Sequence, residues 1–149
     1  MARNLRLARP FAVLVLLFAA IRFSLQPFFH VARENGRAQS ISVVVLTLIS
    51  ASLYGAFLRR FKGFTLGQSM VQGLTLGVIA QIVVLLATVL SYVADIPTFF
   101  NSPDALNQTT EVGLGAALAQ RTVGLIVNSI LAAIAGAIGW ILGALLPED

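Results

Sequence analysis

Arg22 lies inside an otherwise apolar run from Pro10 to Val31, twelve residues after the run begins. In a helix, at 1.5 Å of rise per residue, that spacing carries its guanidinium about 18 Å in from one end. A charge held that deep in an apolar medium costs a few kcal/mol unless it reaches water or a partner. Thr47, Gln81 and Asn128 fall at comparable depths in the three other apolar runs, so a polar cluster drawn from all four is expected. No carboxylate shares that depth. A guanidinium among amide and hydroxyl groups can hold a carboxylate or phosphate by charge-assisted hydrogen bonds. It can equally snorkel outward, or meet Asp95 or Glu111 folding inward. Arg22, Thr47, Gln81 and Asn128 are therefore the candidate ligand-binding residues, with a structural role open beside the functional one.

Other chemistry is sparse. His30 is the single histidine, at the edge of the first run beside Phe28 and Phe29. An imidazole there could ligate a haem or chlorophyll metal, although a lone histidine at such an edge more often serves as polar trim. With no cysteine in the chain, disulfides, thiol catalysis and thiolate metal sites are excluded. The sequence has no His-Glu-x-x-His, no paired carboxylates within an apolar run and no glycine-rich phosphate loop. It is expected to be non-enzymatic and without a metal site, and no cofactor is implied. A proton-coupled carrier would also lack its usual buried carboxylate.

The residues above must be positioned by four apolar segments, about 10–31, 39–58, 70–93 and 122–146, each long enough to cross a hydrocarbon layer about 30 Å thick. Hydrophobic residues make up 58% of the 149 and charged residues only 11%, and mean hydropathy is +0.90. A soluble domain has about a quarter of its residues charged. Because unpaired backbone amides are costly in lipid and the runs show no two-residue alternation, helices are expected. The predicted fold is all-α: an integral membrane bundle of four transmembrane helices forming a single membrane domain over 1–149.

Charge gives the orientation. Residues 1–62 carry nine of the ten basic groups and one acid, while the remainder carries Arg121 and five acids. Arg3, Arg6 and Arg9 precede the first segment, and Arg59, Arg60 and Lys62 fill the link between the second and third. The positive-inside rule places both on the cytoplasmic side. Both termini are then cytoplasmic, and the acidic 95–111 loop and the 32–38 loop lie outside. Bases split between two juxtamembrane sites suit anionic lipid headgroups rather than nucleic acid. The basic, then apolar, start reads as an uncleaved signal anchor. Asn107-Gln108-Thr109 fits the glycosylation triplet, which matters only in a secretory pathway.

Local signals set boundaries. Pro27 should kink or end the first helix. Gly63 permits a tight reversal after the second, and Thr65 with Gln68 forms a capping box that starts the third near Leu66. Ser102 could cap a short surface helix opening at Pro103, and the fourth helix should begin around Glu111. Small residues mark the packing faces: Gly73 and Gly77 on the third helix, and Gly136, Gly139 and Gly143 on the fourth. Lipid supplies no hydrophobic force between helices, so close backbone approach must supply dispersion contact, within the chain or against another. Arg121, Tyr54 and Trp140 read as interface anchors, with Trp140 also able to pack inside.

The link Arg59-Arg60-Phe61-Lys62-Gly63 running into Phe64-Thr65-Leu66-Gly67-Gln68-Ser69, followed by a long third helix, an extended loop and a Gly/Ala-rich last helix, resembles a family of uncharacterised bacterial four-span membrane proteins, a domain of unknown function. The resemblance covers residues 40–146. Arg121 and the dense glycine stripe depart from that pattern. The family has no assigned activity, so the resemblance implies a bacterial cytoplasmic (inner) membrane protein and nothing catalytic. Absent chemistry and small-residue faces favour an accessory or scaffolding subunit that packs against other membrane helices or its own copies in a larger assembly, surrounded by lipid. The alternative is a binding or transport module holding an anionic lipid, quinone or small solute near Arg22.

Overall fold

The computed structural model describes residues 2–28, 42–106 and 108–145. The described residues form four α-helices, α1 (Ala2–Ser24), α2 (Val43–Lys62), α3 (Leu66–Val93) and α4 (Leu114–Leu142), with a 3-10 turn at Asp104–Leu106 between the last two. The described residues contain no strand, and each of these helices is long and apolar enough to cross a membrane.

The boundaries follow local chemistry. α1 runs through Pro10 and ends at Ser24, whose hydroxyl donates to the Ala20 carbonyl at 2.8 Å. Pro27 therefore falls in the turn after the helix and does not kink it. α2 starts later than hydropathy suggests, because Ser42 caps it by accepting from the Val44 amide at 3.2 Å. It continues through Arg59 and Arg60 to Lys62, where basic side chains favour the carbonyl end of the helix dipole. Gly63 then adopts a left-handed φ of 62°, a conformation that costs glycine nothing. The capping box is present: Thr65 N donates to Gln68 Oε1 at 3.1 Å and Gln68 N to Thr65 Oγ1 at 3.4 Å. α4 begins three residues later than Glu111, after Gly113 as its cap. Ser102 caps the 3-10 turn through the Ala105 amide at 3.3 Å, so the short helix expected there is a single tight turn.

α3 is the hub. It packs against α1, α2 and α4, and α2 also packs on α4, whereas α1 and α4 have no pair of Cα atoms within 8 Å among the described residues. α1 offers Ala8, Phe11, Val15 and Ala19 to the interior, a spacing that keeps one helical face inward. The glycines set the closest approaches. A Cβ at Gly73 would strike the Ala132 backbone, one at Gly139 the Ser52 backbone, and one at Gly143 the Ala56 backbone. Gly77 faces Ser129, and Gly136 abuts both the Ser69 carbonyl and Gly55. All these contacts lie in the half of the bundle nearest the Arg59–Lys62 link. The predicted small-residue faces are thus filled from within the chain.

Polarity is inverted relative to a water-soluble bundle. Leu17, Leu53, Leu86 and Ile126 are each more than half exposed, while Thr47, Ser69, Gln72, Gln81, Thr88, Ser91 and Ser129 are buried. Such an exterior is unfavourable in water and neutral in hydrocarbon.

Candidate ligand cavity at the loop end

A cavity of about 540 Å³ opens at the end of the bundle opposite the basic link, lined by Arg22 of α1, the start of α2 at Ser42 to Val44, Gln81 and Val84 of α3, Phe99 to Ala105 of the loop, and α4 from Gln120 to Asn128. Among the described residues α1 and α4 have no pair of Cα atoms within 8 Å, and the cavity lies between these two helices, with Gln81 and Val84 of α3 on its wall.

Three of the four expected polar residues meet here. Arg22, Gln81 and Asn128 share the cavity, and the Gln81 and Asn128 amides come within 3.8 and 3.7 Å of the point where a Cβ on Gly124 would sit. A methyl group at Gly124 would thus make ordinary van der Waals contact with both amides. Thr47 does not join them. It is buried, its hydroxyl donating to the Val43 carbonyl of its own helix at 2.7 Å, and α2 presents Ser42, Val43 and Val44 to the cavity instead. Height along α2 does not by itself put a side chain on the cavity wall; its rotation about the helix axis decides.

The loop is not simply external. Phe99 is 1% and Phe100 3% exposed, because residues 98–102 fold back into the bundle end. A chain of hydrogen bonds holds them: Ser91 and Thr98 hydroxyls at 2.7 Å, the Phe100 amide to Thr98 Oγ1 at 3.0 Å, the Thr98 amide to Asn101 Oδ1 at 2.8 Å, and Asn101 Nδ2 to the Ile96 carbonyl at 3.1 Å. The Arg22 guanidinium lies 5.5 Å from the centre of the Phe99 ring, a cation–π contact.

Arg121 is the larger correction. Expected as an interface anchor, it lines the cavity, with Nε donating to Thr88 Oγ1 at 3.0 Å and Nη2 to the Phe100 carbonyl at 2.7 Å. The signal that could have revealed it is spacing: Arg121, Gly124 and Asn128 stand at i, i+3 and i+7 and share one face of α4. The acid on the cavity wall is Asp104, at an exposed position, rather than Asp95 or Glu111.

The basic end is structurally committed. The Arg59 guanidinium stacks 3.7 Å from the Trp140 ring and donates to the Trp140 carbonyl at 3.1 Å, while Trp140 Nε1 donates to the Phe64 carbonyl at 2.6 Å. Trp140 of α4 thus clasps α2 and the link between α2 and α3. Tyr54 packs, partly buried, against the core. No group of three or more His, Cys, Asp or Glu residues among the described residues could hold a metal ion. His30, the 32–38 loop and Asn107 lie outside the described residues, as does the expected end of the last span at Leu146.

No family model, curated protein or solved structure matches the chain.

Proposed function

We propose that this chain is an integral membrane protein that binds an anionic, partly apolar ligand in the loop-end cavity. The observation that carries this is the convergence of Arg22, Gln81, Arg121 and Asn128, from three helices, on one cavity that also exposes Val84, Val123 and Val127. Small-molecule sites typically combine apolar walls, a few convergent polar groups and a volume of about 300–1,000 Å³. Two guanidiniums on a wall flanked by amides favour a carboxylate or phosphate group. The inverted polarity of the bundle supports lipid as its solvent, and the basic residues at 3, 6, 9, 59, 60 and 62 favour a cytoplasmic position for that end. The cavity then lies toward the external leaflet. The chain lacks cysteine, so one introduced at Lys62 should label only from the cytoplasmic side. The resemblance of the 59–69 segment is consistent with a bacterial inner membrane.

The alternative, an accessory subunit, must accommodate the finding that the glycine faces are occupied within the bundle. A partner helix would meet the large apolar side chains outside, which lipid covers equally well.

Thermal unfolding in a neutral detergent tests the binding function. A ligand that binds only the folded state stabilises it by RT ln(1 + [L]/Kd), about 2.7 kcal/mol at a hundredfold excess over Kd. An anionic amphiphile should raise the melting temperature of the wild type and leave Arg22→Leu unmoved, while a neutral amphiphile of equal chain length moves neither. Equal shifts in both proteins would remove Arg22 from the site.

A further inference from the structure

We infer that the cavity opens sideways onto the bilayer and holds a membrane lipid, its anionic headgroup inside and its chains leaving across Val123 and Val127 of α4 into the surrounding hydrocarbon. This rests on the membrane-embedded, anion-binding function proposed above and names the source of the ligand and the position of its chains.

The wall is unevenly closed. Val43 of α2, Gln81 and Val84 of α3, and Phe99, Phe100 and Ser102 of the loop are all buried. Val123 and Val127 of α4 line the same cavity yet are 58% and 48% exposed. A residue that both lines a cavity and faces outward stands at its mouth. Beside that mouth the outer surface of α4 continues with Ile126 and Ile130, each more than half exposed. The lip is therefore hydrocarbon, unfavourable against water and neutral against lipid chains.

Rotation about α4 separates the two characters of the site. Arg121, Gly124 and Asn128, at i, i+3 and i+7, share its inward face, while Val123 and Val127, at i and i+4, stand on the edge turned outward. A headgroup held on the inward face would carry its chains over that edge. The order along the helix agrees. From Gln120 to Val127 the outward edge runs about 10 Å from the loop end toward the middle of the bundle, passing from an amide to two valines. Asp104, exposed, joins Gln120 at the polar end of this edge. A lipid in its leaflet has the same order, with the headgroup at the surface and the chains toward the midplane. A soluble anion makes no use of an apolar lip, whereas a lipid that binds across it keeps its chains out of water.

The test compares one anionic headgroup with and without chains. Wild type would be placed in phosphatidylcholine nanodiscs containing a small fraction of phosphatidic acid, and the phosphatidic acid that stays bound on extraction would be counted by native mass spectrometry. Glycerophosphate, the same headgroup without chains, would be added from the aqueous side as competitor. Phosphatidic acid should be retained by the wild type and lost in Arg22→Leu, and glycerophosphate should not displace it. Val127→Trp, which narrows the lip and leaves Arg22, Gln81 and Asn128 in place, should reduce retention about tenfold, the scale of a side chain forced into occupied space. Ile134→Trp, outside the cavity, should leave retention unchanged. Displacement by glycerophosphate, or undiminished retention in a folded Val127→Trp, would overturn the sideways opening and leave anion binding standing. Should Val127→Trp fail to fold, the wild-type competition alone decides. If neither probe binds in an Arg22-dependent way, anion binding fails and the inference with it.

Discussion

Arg121 shows how one residue can serve two elements. Two of its five N–H groups reach from α4 to the Thr88 hydroxyl and the Phe100 carbonyl, pinning the inward fold of residues 98–102 against the helices. Thr88 is fully buried and Phe100 nearly so, so removing the guanidinium leaves an acceptor without its charged donor. Arg121→Leu should destabilise the protein by about 2 kcal/mol. It should also speed amide exchange at Phe100, where the loop loses its tie, with little change at Ser69 or Gly73 in the opposite half. Uniform exchange across both halves would contradict this division. Arg22 differs in that it meets the cavity from the end of α1 and touches the loop through the Phe99 ring. That Arg22, Gln81 and Asn128 share one end of the bundle was legible in the sequence, because rise per residue fixes relative height along packed helices. The role of Arg121 was not, since one of its partners is a backbone carbonyl in a loop, which carries no side-chain signature.

At the level of helices, the bundle is tight at one end and open at the other. Gly55, Gly73, Gly77, Gly136, Gly139 and Gly143 bring backbones together near the basic link, and none of them lies on the cavity wall. Gly139→Ala places a methyl group against the Ser52 backbone, which cannot move independently of α2, and should cost about 2–3 kcal/mol. Gly115→Ala, where nothing stands within 4 Å of the new Cβ, should instead stabilise the protein by about 0.5 kcal/mol through helix propensity. Comparing the two by unfolding in denaturant separates packing from propensity, and equal costs would refute the close approach of α2 and α4. The start of α3 was readable from Thr65 and Gln68 because the capping box is local. The burial of Phe99 and Phe100 was not, because the acids flanking that loop signal exposure while its phenylalanines are ordinary for an interfacial segment.

At the scale of the whole molecule, taper and inverted polarity form one arrangement. The glycine contacts hold α2, α3 and α4 together at one end, while the gap bordered by α1 and α4 at the other gathers the polar groups that an apolar exterior cannot carry. The central claim is that a ligand occupies that gap. Site-specific photocrosslinking in the native membrane tests it most directly. A benzophenone side chain would replace Val127 on the cavity wall, or Ile134, two turns along α4 and nearly half exposed away from the cavity. The account predicts a discrete anionic adduct at position 127 that disappears when Arg22→Leu is added, and only heterogeneous bulk lipid at position 134. The same bulk-lipid mixture at both positions, unaffected by Arg22→Leu, would contradict it.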